Sequence, residues 1–177
     1  MIHDGDLMFK ILWNPWRYEY IKTTTKPNKT CIFCELLKQR DEEAYILHRG
    51  KYSYVVLNAY PYNSGHLMIV PYKHVGTIEE LDQETIIEMM NFVKKSIRVL
   101  REAFTPDGFN IGINIGRAAG AGIPGHVHIH VVPRWVGDSN FMAIIASTKT
   151  LPISLDETYT ILREKWKQIN GEEALDH

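Results

Sequence analysis

Three histidines alternate with apolar residues in one short segment of the chain. They are His126, His128 and His130, separated by Val127 and Ile129. Because side chains alternate between the two faces of a β-strand, this spacing places the three imidazoles on one face and the aliphatic side chains on the other. A lone histidine on a strand is more often a solvated surface residue, but three in register predict a functional site.

A neutral imidazole nitrogen can either bind a metal ion or attack phosphorus, so the three histidines alone leave both chemistries open. A glycine-rich segment, residues 116–125, leads directly into them. Glycine backbone can approach phosphate oxygens closely and donate its N–H groups to them, although such a segment is also typical of a flexible turn. Next to the histidines, this segment favours phosphate chemistry.

Two motifs in the chain resemble those of a known family. Residues 126–132 read His-Val-His-Ile-His-Val-Val, and residues 63–74 read Asn-Ser-Gly-His-Leu-Met-Ile-Val-Pro-Tyr-Lys-His. The first motif resembles the signature of the histidine-triad (HIT) family, and the second resembles that family's Gly-His-apolar-Pro-x-x-His segment. The resemblance covers roughly residues 31–140. Residues 13–17 and 133–142 are also similar to the bacterial diadenosine tetraphosphate phosphorylases or hydrolases of that family.

The resemblance implies an enzyme that cleaves a nucleotide phosphoanhydride in two steps. The middle histidine, His128, would attack the α-phosphorus to form a covalent nucleotidyl-histidine, and water or inorganic phosphate would then release the nucleotide. His130 would contact the α-phosphate and help the leaving group to depart. The implied substrate is a diadenosine polyphosphate such as diadenosine tetraphosphate. A nucleoside phosphoramidate hydrolase and a non-catalytic nucleotide sensor are the alternatives, and the intact triad argues against the sensor.

The family also implies where the substrate would be held. Asn58 would bind the ribose hydroxyls, and Asn114 would bind the phosphate or the scissile bridge. Gly122 occupies a stretch in which relatives often carry polar side chains, so backbone contacts there, or Asn140 from the following loop, would substitute. For Asn58 and Asn114, the alternative is a strand-end residue that satisfies nearby backbone groups.

A second set of residues suits a structural metal. Cys31 and Cys34 supply two thiolates at a spacing typical of tetrahedral zinc. Four histidines are candidates for the remaining ligands: His48, His66, His74 and His126. The family resemblance selects Cys31, Cys34, His74 and His126 and implies a structural zinc that holds the triad strand in place. A redox dithiol and two unbonded cysteines are the alternatives, and no organic cofactor is expected.

The hydrophobic pattern predicts the strands that position these residues. The strands lie near residues 45–47, 52–58, 67–70, 109–116 and 126–133. In residues 109–116, apolar side chains alternate with asparagine and glycine, which predicts one face in the core and one small, polar face. If this strand pairs with the triad strand, the imidazoles face amides and glycines.

Capping patterns and apolar stripes predict the helices. Thr77 and Glu80 indicate a capping box, Asp82 can cap a longer helix, and Ser154 with Glu157 can cap a C-terminal helix. Spacings of three and four residues predict one buried face on each of the two longer helices. The stripes are Ile86, Met89, Met90, Val93, Ile97, Leu100 and Phe104, and Leu155, Tyr159, Leu162, Trp166 and Ile169. The order of elements indicates an α+β fold, and the resemblance implies a HIT-like antiparallel sheet of about five strands with the long helix packed on it.

Length and composition favour one domain at residues 31–145, with an N-terminal appendage at residues 1–30 and a C-terminal extension containing a helix at residues 146–177. The 177 residues carry a formal net charge of −1, so no broad positive field would attract duplex DNA. The sequence has no apolar run of membrane-helix length and no secretory signal at its start, which indicates a cytoplasmic protein. The resemblance also implies a homodimer, and the aromatic residues of the appendage are expected to pack on the domain or on the partner.

Overall fold

A computed structural model describes residues 30–138 and 151–175, with side chains described as far as residue 171. The strands are β1 (Ile46–Arg49), β2 (Ser53–Leu57), β3 (Leu67–Pro71), β4 (Gly108–Ile113) and β5 (Ile129–Arg134). The helices are α1 (Ile32–Leu36), α2 (Gln83–Phe104) and α3 (Leu155–Leu175), with a short 3₁₀ helix at Ile78–Glu80. Among these described residues, no helix is both long and apolar enough to cross a membrane.

The strands form one antiparallel sheet in the order β1-β2-β3-β5-β4. The predicted α+β class and five-stranded antiparallel sheet are therefore confirmed. β5 lies between β3 and β4, and Gly112 of β4 is directly opposite His130 of β5. β5 begins at Ile129, later than predicted, because Ile129 is its first residue with a pairing partner in the neighbouring strands. These partners are Ile69 of β3 and Ile113 of β4.

The two faces of the sheet carry different layers. On one face, α2 and α3 pack against the inward side chains of β1, β2, β3 and β5 and form the larger core. The predicted stripe of α3 is part of this core, with Leu162, Trp166 and Ile169 fully buried. On the other face, α1 covers a smaller cluster around Phe33 and Tyr54. The histidines lie on this second face.

The capping predictions have different outcomes. Asp82 accepts a hydrogen bond from the backbone N–H of Thr85 at 2.9 Å, and Ser154 accepts one from Glu157 at 3.2 Å, so both of these caps are confirmed. The capping box at Thr77 is wrong, because its side chain makes no capping hydrogen bond. Asp82 begins the long helix so soon afterwards that only a 3₁₀ turn fits between them.

Two predicted apolar faces are more exposed than expected. On α2, Met89 and Val93 are buried, whereas Ile86 and Met90 are 40% and 49% exposed. On β4 and just after it, three isoleucines that were predicted to lie in the core are 36–45% exposed: Ile111, Ile113 and Ile115. The physical reason is the position of β4, which is the last strand of the sheet as far as the structure describes it, and α2 packs over β3 and β5 instead.

Candidate active site and metal centre

The three histidines share one face of the chain, as predicted. Val127 and Ile129 point into the helix-side core, and the backbone N–H of Val127 donates to the carbonyl of Val75 at 2.7 Å. This hydrogen bond keeps the chain extended before the ladder of β5 begins. His126 and His128 are buried, and His130 is half-buried.

A backbone hydrogen bond gives the imidazole of His128 a defined proton position. Its Nδ1 lies 2.9 Å from the carbonyl oxygen of His126. Because a carbonyl oxygen can only accept, Nδ1 carries a proton, and in the neutral ring Nε2 keeps its lone pair. Burial lowers the pKa of His128, although the backbone hydrogen bond partly opposes this shift. The ring of Phe33 packs on the imidazole with 4.8 Å between centroids. His128 therefore has the tautomer that a nucleophile attacking through Nε2 requires.

His130 lies beside His128, with 4.6 Å between the ring centroids. Its Nδ1 is 3.0 Å from Nε2 of His66, which is fully buried. Opposite His130 in the sheet, Gly112 contributes no side chain. The structure thus places His66, which was considered only as a metal ligand, in contact with one of the two histidines expected to act on phosphate. The only sequence signal for it was its place in the motif at residues 63–74.

Cys31, Cys34, His74 and His126 form a compact cluster in which all four ligand atoms lie within 4.8 Å of one another. Nδ1 of His126 lies 3.2 Å from Sγ of Cys31, 3.8 Å from Sγ of Cys34 and 3.2 Å from Nδ1 of His74. A tetrahedral ion with Zn–S bonds of about 2.3 Å and Zn–N bonds of about 2.0 Å separates its ligand atoms by roughly 3.3–3.8 Å. The four side chains therefore fit such an ion.

The protonation of this cluster also suits a cation. Nε2 of His126 donates to the carbonyl oxygen of Pro71 at 2.9 Å, which leaves the Nδ1 lone pair facing the sulfurs. Burial, and next the neighbouring Cys31, raise the pKa of the Cys34 thiol. Two adjacent thiolates repel one another, and a bound dication reverses this penalty. The donor set therefore matches a thiolate- and imidazole-binding metal ion.

Helix α1 links the cluster to the nucleophile. Cys31 precedes the helix and Cys34 lies within it, while Phe33 between them contacts the rings of both His126 and His128. The hydroxyl of Tyr54 donates to the carbonyl of Phe33 at 2.9 Å and anchors the helix to β2. A metal bound by this helix would therefore restrain the residue that packs on His128.

The other two histidines that were considered as metal ligands lie elsewhere. His48 stacks on Trp166, with 5.5 Å between ring centroids, on the side of α3. His66 is engaged with His130. The sequence spacing admitted all four histidines, and the tertiary structure brings only His74 and His126 to the cysteines.

The predicted substrate contacts have different surroundings. Asn58 accepts a hydrogen bond from the N–H of Tyr60 at 2.9 Å, and its amide nitrogen lies 3.2 Å from Nδ1 of His66. Asn114 directly follows β4, and alternation from Gly112 places it on the histidine face. Gly122 is exposed in the loop before the triad. Asn140 lies outside the described residues, as do residues 1–29 of the predicted appendage.

A polar network, not predicted from the sequence, stabilises the chain after β5. Asp138 accepts two hydrogen bonds from Arg134, at 2.6 and 2.8 Å, and a third from Asn63 at 2.7 Å. The hydrogen bonds from Arg134 hold the pKa of the Asp138 carboxyl well below its usual range. A third nitrogen of Arg134 donates to Asn110 in β4 at 2.6 Å. Arg134 and Asp138 together therefore join β4, β5 and the β2–β3 turn.

Comparison with known proteins agrees with this geometry. The HIT domain family model matches residues 39–136. An AP-4-A phosphorylase from Mycobacterium tuberculosis is 43% identical over 162 residues, covering 88% of this chain and 83% of that protein. An asymmetrical bis(5'-nucleosyl)-tetraphosphatase from Schizosaccharomyces pombe is 31% identical over 93 residues, covering 52% of this chain and 50% of that protein.

A solved structure shows the same fold. It is a zinc-bound histidine triad family protein from Mycobacterium smegmatis, with a TM-score of 0.66 and 26% identity, covering 81% of this chain and 98% of that one. The family model spans more than half of the chain, and the mycobacterial phosphorylase aligns with most of it. This chain therefore belongs to the HIT domain family, the histidine-triad family that its sequence motifs resemble.

Proposed function

We propose that this chain cleaves diadenosine tetraphosphate by transferring an adenylyl group first to His128 and then to inorganic phosphate. The observation that carries the proposal is the tautomer of His128, whose backbone hydrogen bond leaves Nε2 as a nucleophile beside His130. The similarity to an AP-4-A phosphorylase over most of the chain supports the choice of substrate and of acceptor.

The proposed reaction consists of two displacements at one phosphorus atom. In the first, Nε2 of His128 attacks an α-phosphorus, the bond from phosphorus to the bridging oxygen breaks, and ATP leaves. In the second, an oxygen of inorganic phosphate attacks the same phosphorus, the P–N bond breaks, and ADP leaves with His128 restored. His130 donates a hydrogen bond to the α-phosphate and so stabilises its developing charge. Water in place of phosphate would yield AMP instead of ADP.

The substrate is proposed to lie across the histidine face. Asn58 would bind a ribose hydroxyl through the second lone pair of its amide oxygen, since the first accepts from Tyr60. Asn114 would contact the α-phosphate, and the backbone at Gly122 would donate to phosphate oxygens. Asn140 would reach the site from the segment after Asp138.

Zinc is the metal proposed for Cys31, Cys34, His74 and His126. The spacing of the four ligand atoms, the Cys₂His₂ donor set and the similarity to a zinc-bound relative support this choice. When bound, the ion would supply positive charge that neutralises the thiolates and would fix His126, two positions before the nucleophile. Because the ligands must be reduced thiols, a reducing compartment such as the cytoplasm is the proposed location.

A second copy of this chain is the proposed partner. β4 ends the described sheet with an unpaired edge, and its exposed isoleucines, Ile111 and Ile113, lie on the helix side, with exposed Ile115 just after the strand. On α2, Met90 is exposed. Arg101 follows it by eleven residues, or about three helical turns, and therefore lies on the same side of the helix. The guanidinium of Arg101 lies over the ring of Phe109 in β4. The proposed dimer surface comprises these exposed residues of α2 and β4, and a homodimer would bury them.

Placing a charge on this surface tests the dimer. We expect wild-type protein to sediment as a dimer at micromolar concentration and Ile113→Lys to sediment as a monomer, because burying an unpaired lysine is unfavourable. Val136→Lys is the matched control, since Val136 is 92% exposed and lies outside the surface. A monomeric wild type would contradict the dimer, and a dimeric Ile113→Lys variant would contradict the chosen surface.

The identity of the products tests the reaction. Purified protein is incubated with diadenosine tetraphosphate, with and without inorganic phosphate, and the nucleotides are separated by ion-exchange chromatography. We expect equal amounts of ADP and ATP that form only when phosphate is present. Formation of AMP and ATP without phosphate would show that water, and not phosphate, is the acceptor. The absence of products in both conditions would contradict the proposed substrate.

A further inference from the structure

A chain of hydrogen bonds leads from the β2–β3 turn to His130. The backbone N–H of Tyr60 donates to the amide oxygen of Asn58 at 2.9 Å, so the amide nitrogen of Asn58 faces His66. The backbone N–H of Tyr62 donates to Nδ1 of His66 at 3.2 Å. At the other end of this ring, Nε2 lies 3.0 Å from Nδ1 of His130.

The direction of each hydrogen bond follows from its donor. A backbone N–H can only donate, so Nδ1 of His66 is an acceptor and the neutral ring carries its proton on Nε2. Nε2 of His66 then donates to Nδ1 of His130. A neutral His130 is consequently protonated on its other nitrogen, Nε2.

We propose that His66 is a positioning residue that holds His130 in its Nε2-protonated tautomer, so that His130 offers an N–H to the phosphate that His128 attacks. This inference rests on the proposed function for its consequence in catalysis. The opposite tautomer would present a lone pair to an anionic phosphate, and that contact is repulsive. A neutral donor of fixed direction avoids this repulsion without needing a protonated imidazolium.

The surroundings of His66 explain why solvent does not replace it. His66 is fully buried, and the ring of Tyr62 packs against both imidazoles, at 4.7 Å from His66 and 5.9 Å from His130. The residue therefore has few rotamers available, and its Nε2–H is directed at one acceptor. The ring of His66 also lies between His130 and the backbone of Tyr62 in the β2–β3 turn.

Two substitutions distinguish the hydrogen bonds made by the two ring nitrogens of His66. In His66→Gln, the amide nitrogen can occupy the place of Nε2 and donate to His130. In His66→Asn, the shorter side chain can only reach the place of Nδ1, so the contact with Asn58 and Tyr62 persists while the donor to His130 is lost. Circular dichroism and thermal unfolding establish that each variant is folded.

The tautomer is measured directly by long-range ¹H–¹⁵N correlation spectra of protein labelled in its histidines, because protonated and unprotonated imidazole nitrogens have different ¹⁵N shifts. The signals of His130 are assigned by their loss in His130→Gln. We expect the Nε2-protonated form in the wild type and in His66→Gln, and a mixture of tautomers in His66→Asn. This measurement needs no substrate.

Steady-state cleavage of diadenosine tetraphosphate provides the second readout. We expect kcat to fall on the order of tenfold in His66→Asn with KM nearly unchanged, and to recover to within about threefold of the wild type in His66→Gln. An Nδ1-protonated His130 in the wild type would overturn the inference without any variant. Equal losses of kcat in both variants would also overturn it. If the wild type cleaves no diadenosine tetraphosphate, the proposed function fails while the tautomer measurement still decides the role of His66.

Discussion

His128→Ala is expected to lower kcat for diadenosine tetraphosphate on the order of 10⁴-fold while nucleotide binding persists. The substitution removes Nε2, the atom beside His130 that is proposed to attack the α-phosphorus. Loss of a nucleophile in an enzyme that forms a covalent intermediate typically has an effect of this size. The rate is measured by product chromatography, and binding is measured by calorimetry with a non-hydrolysable dinucleotide.

His128→Asn provides the matched control for folding. Its amide nitrogen can still donate to the carbonyl of His126, as Nδ1 does in the wild type, but it offers no nucleophile at the position of Nε2. We expect the asparagine variant to be as inactive as the alanine variant and closer to the wild type in thermal stability. Intact-mass analysis of wild-type protein quenched during turnover should show one added adenylyl group, which is absent from both variants. An alanine variant with full activity would end the proposed mechanism.

Loss of the metal is expected to have the largest effect on stability. In Cys34→Ser, zinc content should fall from about one ion per chain to a small fraction of that. A ligand present at a thousand times its Kd stabilises the folded state by about 4 kcal/mol, so the melting temperature should fall by about 10 °C. Because Phe33 packs on both His126 and His128, kcat should also fall, by roughly 10- to 100-fold. Elemental analysis measures the zinc content, and scanning calorimetry measures the melting temperature.

His48→Gln is the control for the metal prediction, because His48 was an equal candidate in the sequence and lies against Trp166 in the structure. This variant should retain its zinc. A chelator should lower the melting temperature of the wild type and of His48→Gln but leave that of Cys34→Ser unchanged. Protein purified without added metal that contains less than half an ion per chain would contradict the zinc proposal.

The sequence by itself determined the features that depend on local periodicity. A strand repeats every two residues, so the shared face of His126, His128 and His130 followed directly from their spacing. The start of the long helix followed from Asp82, because an N-cap acts on a backbone N–H only three residues away. The resemblance to the family motifs then predicted which histidine is the nucleophile and which four residues bind the metal.

Periodicity was insufficient where burial depends on neighbours from other parts of the chain. The pattern of β4 predicted a face in the core, yet Ile111 and Ile113 are exposed because β4 ends the described sheet. The stripe of α2 likewise includes Ile86 and Met90, which face away from the core. Alternation specifies that a face is apolar, but only the strand order and the helix position decide what covers it.

Only the tertiary structure decided which distant polar groups meet. The spacing of the cysteines admitted four histidines, and the antiparallel pairing of β3 with β5 brings His74 and His126 together. The same pairing places His66 against His130, a contact for which the sequence held no signal beyond the motif. Hydrogen bonds act over about 3 Å, whereas these residues are separated by more than fifty positions, so their contacts follow from the packing of the whole sheet.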